Sequence, residues 1–155
     1  MINRQVIKHI IESYTGLTYL WPQNSCLAVA RDLTVKLSGN VPPLSKYEKV
    51  DEEKAIKLSR KKHKVLADAY YKDFLKRYWK PTDERMDNND IVIIGETDGG
   101  VISEYGTVYD DSKGRSLMCF TCDGALYHWT QYGLGRVVND EYKVLYHLRI
   151  KPIKV

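Results

Sequence analysis

The sequence predicts an α+β fold in a single domain, residues 1–155, with N-terminal helices packed on a C-terminal antiparallel sheet. Apolar residues recur at helical spacing in the first half of the chain, whereas short β-rich runs separated by turn residues fill the second half. A chain of 155 residues is long enough to bury one substantial core. We therefore expect a helical part over residues 1–80 and a sheet part over residues 89–155.

Helices are predicted from the apolar spacing and from capping residues. The first is expected over residues 3–14, where isoleucine and valine recur on one face. Asn24 or Ser25 can cap a second helix that runs from Cys26 to about Ser38, where a Gly-Asn pair stops it. Residues 51–79 favour two further helices on either side of a basic run.

Strands are predicted from residue 91 onward. Residues 91–95, IVIIG, indicate a short buried strand, and residues 102–110, ISEYGTVYD, indicate a second one. Residues 117–129 resemble a hairpin in which Asp123-Gly124 supplies the tight turn. Alternating apolar residues over 144–150 predict the last strand.

Composition excludes several classes of protein. The net charge of +4 is too small by itself to indicate nucleic-acid binding. Three cysteines are an odd number at uneven spacing, so no disulfide framework is implied. No apolar run approaches the ~20 residues of a membrane span, and the N-terminus lacks a signal-peptide core. We expect a soluble chain made in a reducing cytoplasm, and nothing in its composition requires a cofactor.

Two weaker patterns suggest a metal site or a nucleic-acid surface. Cys119 and Cys122 have the spacing of a zinc half-site, but His128 and His147 would have to complete it, and alternation in a hairpin explains both cysteines. A basic cluster could contact phosphates, although interspersed acidic residues favour a solvated helix face. Its members are Lys57, Arg60, Lys61, Lys62, Lys64, Lys72, Lys76, Arg77 and Lys80.

Cys26 is the candidate nucleophile of the chain. A thiolate attacks and a thiol does not, and the partial positive charge of a helix N-terminus favours the thiolate. Cys26 lies in the first turn of the second predicted helix, so this condition is met by position. It also shares a helix face with apolar residues, and free cysteine is among the most buried residue types. The spacing alone favours the structural interpretation.

The order of these segments resembles the NlpC-like branch of papain-fold cysteine peptidases, and more specifically the small NlpC-like proteins encoded among phage tail genes. In that family an Asp-Cys pair begins the helix, and Ser25-Cys26 stands at that place here. The next strand of the family begins Gly-Asp-hydrophobic, which corresponds to Asn89-Asp90-Ile91. A His-Val-Gly-Ile strand follows in the family, and residues 104–107 match it. Phage-type members carry a helical stretch such as residues 51–79.

The resemblance implies a papain-like fold with Cys26 at the nucleophile position. The general base of the family is a histidine, but Glu104 stands at its position, and a carboxylate would raise the pKa of a neighbouring thiol. His128 in the hairpin and His147 on the last strand are the alternative bases. Loss of the base favours a retained fold with another role over an active peptidase.

Three functions follow as expectations. The first is a structural or assembly protein of a phage tail or tail tip, made in the host cytoplasm and located in the virion, that binds other tail proteins. Twelve tyrosines against two phenylalanines suit such contact surfaces. The second is an active cell-wall peptidase that acts on peptidoglycan through Cys26. The third is a nucleic-acid-binding accessory protein that uses the basic cluster.

Overall fold

A computed structural model gives the chain an α+β architecture, with four α-helices and a six-stranded antiparallel sheet among the residues that it describes. The predicted fold class is thus confirmed at this level. The structure describes residues 4–62, 66–96, 101–105, 108–109, 116–130, 132–138 and 142–152.

The helices follow the predicted order, with one difference at their end. They are α1 (Val6–Tyr14), α2 (Cys26–Ser38), α3 (Glu52–Ser59) and α4 (Leu66–Asp73). The last helix was expected to continue to residue 79, but α4 ends at Asp73 and a single 3-10 turn, Leu75–Arg77, follows. Trp79 then begins a strand that pairs with the end of the chain, and Pro81 disfavours helical backbone at Lys80, the residue before it.

The ends of α2 form as the sequence predicts. The Ser25 hydroxyl accepts a hydrogen bond from the Ala28 backbone N–H, and Gly39 closes the helix in the left-handed conformation with φ of 75°. Glycine tolerates this backbone because it has no Cβ. The N-cap at Ser25 makes Cys26 the first residue of α2.

The main sheet has the strand order β1-β8-β2-β5-β6-β7, and every neighbouring pair is antiparallel. A separate two-stranded ribbon consists of β3 and β4. The strands are β1 (Trp79–Pro81), β2 (Ile91–Glu96), β3 (Val101–Ile102), β4 (Val108–Tyr109), β5 (Ser116–Cys122), β6 (Ala125–Thr130), β7 (Gly133–Arg136) and β8 (Tyr142–Ile150).

The strand predictions are partly correct. The hairpin of β5 and β6 forms with Asp123 and Gly124 at φ of 49° and 81°, the positive values that this tight turn requires. The expected strand over residues 102–110 is wrong as a single element. Its start belongs to β3, Glu104 and Tyr105 form a turn, and β4 returns antiparallel to β3. Gly106, Thr107 and Asp110 lie outside the described residues.

Strand β2 divides the core into two layers. Ile91 and Ile93 face the helices, where they join Met118, Phe120 and Trp129 in the larger apolar cluster. Val92 and Ile94 point to the opposite face and pack with Leu117, Cys119 and Leu126. Successive side chains of a strand alternate between faces, so residues paired in register with β2 can be assigned to one layer, and only the register shift of β8 opposite Ile93 and Ile94 interrupts this alternation among the described pairs. We call these layers the helix face and the outer face of the sheet.

The helical layer is joined by hydrogen bonds between charged and aromatic side chains. Arg31 on α2 forms a bidentate pair with Glu48, with both N–O distances at 2.7 Å. Tyr70 on α4 donates to the same carboxylate, and Tyr14 on α1 donates to Asp32 at 2.6 Å. Because Glu48 is 7% exposed, the geometry of these bonds must compensate for its lost hydration. The network fixes the position of α2 relative to its neighbours.

A buried carboxylate ties the loop before β2 to the last strand. Asp90 is 1% exposed and accepts hydrogen bonds from His147 Nε2 at 2.7 Å and from Arg149 Nε at 3.0 Å. Arg149 also pairs with Glu84. The sequence carries the signal for this cluster, because His147 and Arg149 are two residues apart on one strand and share a face.

Replacing Asp90 by asparagine should destabilise the fold by about 3 kcal/mol, because it leaves a partly buried guanidinium without its main counter-charge. Chemical denaturation at pH 7 measures the effect. The matched control is Glu84→Gln, which removes the other partner of Arg149 from a position that is 71% exposed. The control should cost less than about 1 kcal/mol. Equal effects of the two substitutions would contradict this account.

Candidate functional site

Cys26 sits where the N-terminus of α2 meets strands β5 and β6. Its side chain is half-buried and packs against the larger apolar cluster. The thiol donates to the Met118 backbone carbonyl, with Sγ and the oxygen 3.5 Å apart. The Trp129 backbone N–H donates to the sulfur from the neighbouring strand. The predicted nucleophile position is therefore a defined contact between helix and sheet.

The environment of this thiol favours its neutral form. Burial raises the pKa of Cys26 to about 11, and the hydrogen bond from the Trp129 backbone opposes this increase only in part. A catalytic cysteine needs a pKa near or below the working pH. At neutral pH the Cys26 sulfur is thus protonated, which matches its role as donor to the Met118 carbonyl.

Both sheet histidines lie on the face opposite Cys26. His128 stands between Tyr127 and Trp129, which belong to the helix-face cluster, so its own side chain lies on the outer face. His147 pairs in register with Val92, a residue of the outer-face cluster. Alternation therefore separates both proposed bases from the thiol by the thickness of the sheet.

The two histidines have other hydrogen-bond partners. His128 is 1% exposed, and its Nδ1 lies 3.1 Å from the Trp129 carbonyl, an acceptor, so Nδ1 carries the proton. Burial lowers the pKa of His128 to about 4, which keeps the ring neutral at pH 7. The Nε2 atom of His147 is bonded to Asp90. These contacts describe structural histidines.

Glu104, at the position of the family histidine, lies in the turn after β3. Its carboxylate accepts a hydrogen bond from the Arg136 backbone N–H at 3.1 Å, and its own N–H donates to the Arg136 carbonyl at 2.8 Å. Both bonds attach the turn to the backbone of β7, the last strand of the sheet. Among the described residues, none of the polar contacts of Glu104 involves Cys26.

Strand β5 lies next to β2 and contacts Cys26. Residues 104–107, which match the histidine segment of the family, are not part of β5. The helix-face side chains of β5 are Met118, Phe120 and Cys122. None is a base at neutral pH, since burial raises the pKa of the Cys122 thiol as well. Within the part of the chain that is described, the surroundings of Cys26 on β5 are apolar.

The C-x-x-C pattern does not form a half-site for zinc. Cys122 belongs to the helix-face cluster and Cys119 to the outer-face cluster, because residues three apart on a strand point to opposite sides. No group of three or more His, Cys, Asp or Glu side chains among the described residues could hold a metal ion. The backbone geometry of the hairpin thus argues against the metal interpretation.

The basic cluster of residues 57–80 is partly neutralised within its own helices. Lys57 pairs with Glu53 at 3.4 Å and Lys72 pairs with Asp68 at 3.2 Å, both at the i,i+4 spacing of a helix surface. Lys64 lies outside the described residues. These pairs are typical of a solvated helix face.

Exposed apolar side chains lie on the loop between α1 and α2 and on the turns after β3 and β6. We call Leu17, Tyr19, Leu20, Tyr105 and Tyr132 the aromatic edge; each is between 37% and 56% exposed. The Gly16 N–H donates to the Tyr132 carbonyl at 2.9 Å, and the rings of Tyr105 and Tyr132 are 5.5 Å apart. The ring of Tyr19 lies 6.3 Å from the buried ring of Trp129. No local sequence pattern predicts this surface, because its members come from distant segments.

The aromatic edge depends on a close backbone contact. Gly133 has φ of 94°, and a Cβ at this position would collide with the Tyr14 carbonyl. Only glycine permits both the backbone angle and the approach. This contact brings the turn between β6 and β7 against the loop after α1.

Comparison with known protein families, with curated proteins and with solved structures finds no match to this chain. In the described part of the chain, none of the helices has the length and apolar character needed to cross a membrane.

The buried His128 should make stability depend on pH. The folded chain resists protonation of this ring, whereas the unfolded chain binds the proton near pH 6.5. The free energy of unfolding should therefore fall as the pH falls from 6.5 toward 4. The glutamine of His128→Gln stays neutral. Between pH 7 and pH 4.5, the free energy of unfolding of this variant should therefore fall by about 2–3 kcal/mol less than that of the wild type.

Urea unfolding at the two pH values measures this difference. His9→Gln is the matched control, because the His9 side chain is 73% exposed, and it should follow the wild type. If His128→Gln and wild type lose the same stability, the assignment of a neutral buried imidazole is wrong.

Proposed function

We propose that this chain is a structural or assembly protein of a phage tail or tail tip, built on a catalytically degenerate NlpC-like domain. It is made in the host cytoplasm, is incorporated into the virion and binds other tail proteins. The observation that carries the non-catalytic part is the separation of a protonated Cys26 thiol from both sheet histidines.

The arrangement around Cys26 supports the NlpC-like part. A capped helix begins at the cysteine and packs its N-terminus on an antiparallel sheet, which is the layout expected from the resemblance. Asn89, where the family has glycine, has φ of 71°, a backbone conformation that favours glycine or asparagine. Asp90 follows it and is buried at the start of the central strand.

The aromatic edge is the docking surface in this proposal. Interfaces are enriched in tyrosine because the ring supplies contact area and the hydroxyl supplies hydrogen bonds. The edge exposes three tyrosines beside Leu17 and Leu20. The backbone contact at Gly133 preorganises the two loops, so little conformational entropy is lost on binding.

An active peptidoglycan peptidase is the second candidate, and one observation favours it. The Cys26 sulfur stands at the first position of α2 and receives the Trp129 N–H, an arrangement that stabilises a thiolate to some degree. The alternative requires a rearrangement that brings a base to the helix face. It predicts peptidoglycan cleavage that Cys26→Ala abolishes.

Assembly of particles with variant chains tests the first candidate. Leu20→Ser and Tyr132→Ser should each reduce incorporation into particles by about tenfold or more, since central aromatic and aliphatic contacts dominate interface energies. Cys26→Ala should leave incorporation and infectivity intact. Quantitative mass spectrometry of purified particles gives the readout.

Val41→Ser is the matched control, because Val41 is 81% exposed and lies away from the aromatic edge in sequence. It should be incorporated like the wild type. A wild-type chain that is absent from purified particles would overturn the tail assignment. Loss of infectivity on Cys26→Ala together with loss of peptidoglycan cleavage would favour the peptidase instead.

A further inference from the structure

A cleft of about 770 Å³ lies at the tip end of the β5–β6 hairpin. Its walls come from the loop before β2, the hairpin, the end of β7 and the start of β8. Thr121 and Leu126, which pair in register, place it on the outer face, and the volume is typical of a site for a small molecule. The lining residues are Arg85, Met86, Thr121, Gly124, Ala125, Leu126, Arg136, Val137, Val138 and Tyr142.

The charged side chains that line the cleft, within the part of the chain that the structure describes, are positive. Both charged lining residues are arginines, and neither guanidinium has a carboxylate within salt-bridge distance among the described residues. The neighbouring acids of the same loop are engaged, Glu84 with Arg149 and Asp87 with Arg4. The described lining of the cleft is therefore suited to an anionic group.

Only one of the two arginines is placed to provide this charge. Arg136 pairs in register with Tyr127, a residue that packs on the helix-face cluster, so its side chain belongs to the other side of the sheet. Burial raises the pKa of the Tyr127 hydroxyl, and the charge of Arg136 opposes this rise, so the two groups lie near each other. Arg85 remains as the cation at the cleft.

The floor and walls add a hydrogen-bonding group and an apolar surface. Thr121 is 2% exposed, and its hydroxyl has no hydrogen-bond partner among the described residues. Buried hydroxyls are nearly always paired in native proteins, so an orphan at a cleft floor points to a partner that occupies the cleft. Met86, Leu126 and Val138 offer apolar contacts beside it.

We propose that this cleft binds a small amphipathic carboxylate, whose charged end pairs with Arg85 and whose apolar body packs against Met86, Leu126 and Val138. The planar guanidinium matches a carboxylate, and the apolar walls exclude highly hydrated anions. The site lies on the face opposite Cys26 and does not depend on the tail assignment.

Protein-detected NMR titration tests the proposal with 4-phenylbutyrate as the probe and 4-phenylbutanamide as its neutral counterpart. The carboxylate should shift resonances of the lining residues in the millimolar range and bind about tenfold more tightly than the amide. Arg85→Gln should weaken the binding of the carboxylate until its affinity equals that of the amide. Arg60→Gln is the control, because Arg60 is exposed at the end of α3 and does not line the cleft, and it should bind like the wild type.

Several outcomes would overturn the proposal. These are equal binding of acid and amide, shifts confined to residues outside the cleft, or equal loss in the two arginine variants, which would indicate long-range attraction only. The comparison of acid with amide uses the wild-type chain, so it stays decisive even if Arg85→Gln fails to fold.

Discussion

The alternation of side chains along the central strand is the constraint on which the rest of this structure depends. Strand β2 is buried on both sides. Ile91 and Ile93 pack against the helices on one face of the sheet, whereas Val92 and Ile94 pack in a second apolar layer on the other face. A slip of one residue in register would exchange the two faces of a strand. Pairing in register to β5 and β8 then assigns Cys119, Cys122 and His147 to their faces.

This constraint explains why neither sheet histidine contacts Cys26. The N-terminus of α2 packs on the helix face, where the Cys26 sulfur meets the backbone of Met118 and Trp129. The side chains of His128 and His147 lie on the outer face. There His128 is hydrogen-bonded to the Trp129 carbonyl and His147 to Asp90. The same alternation separates Cys119 from Cys122. These separations support the proposed non-catalytic role, in which the aromatic edge is the docking surface.

Much of the framework could be predicted from the sequence, because its signals are local. The caps of α2, the buried strand after Asn89 and the Asp123-Gly124 hairpin each depend on a few neighbouring residues. The end of α4 was misjudged because Trp79 is drawn into pairing with β8, a contact between distant segments. The match of Glu104 to the family histidine was made from linear order, whereas the sheet places β5, and not that turn, beside β2. The cleft and the aromatic edge depend on tertiary contacts that no local pattern encodes.

The pH dependence of Cys26 alkylation tests the central claim most directly. Iodoacetamide reacts with the thiolate, so the labelling rate of the folded chain, resolved by peptide mass spectrometry from that of the other two cysteines, reports the pKa of this thiol. The account predicts slow labelling at pH 7.5, well below the rate in denaturant, and a rate that rises toward a pKa of about 11. Rapid labelling at neutral pH, with a pKa below that of an ordinary thiol, would show an activated nucleophile and contradict the account.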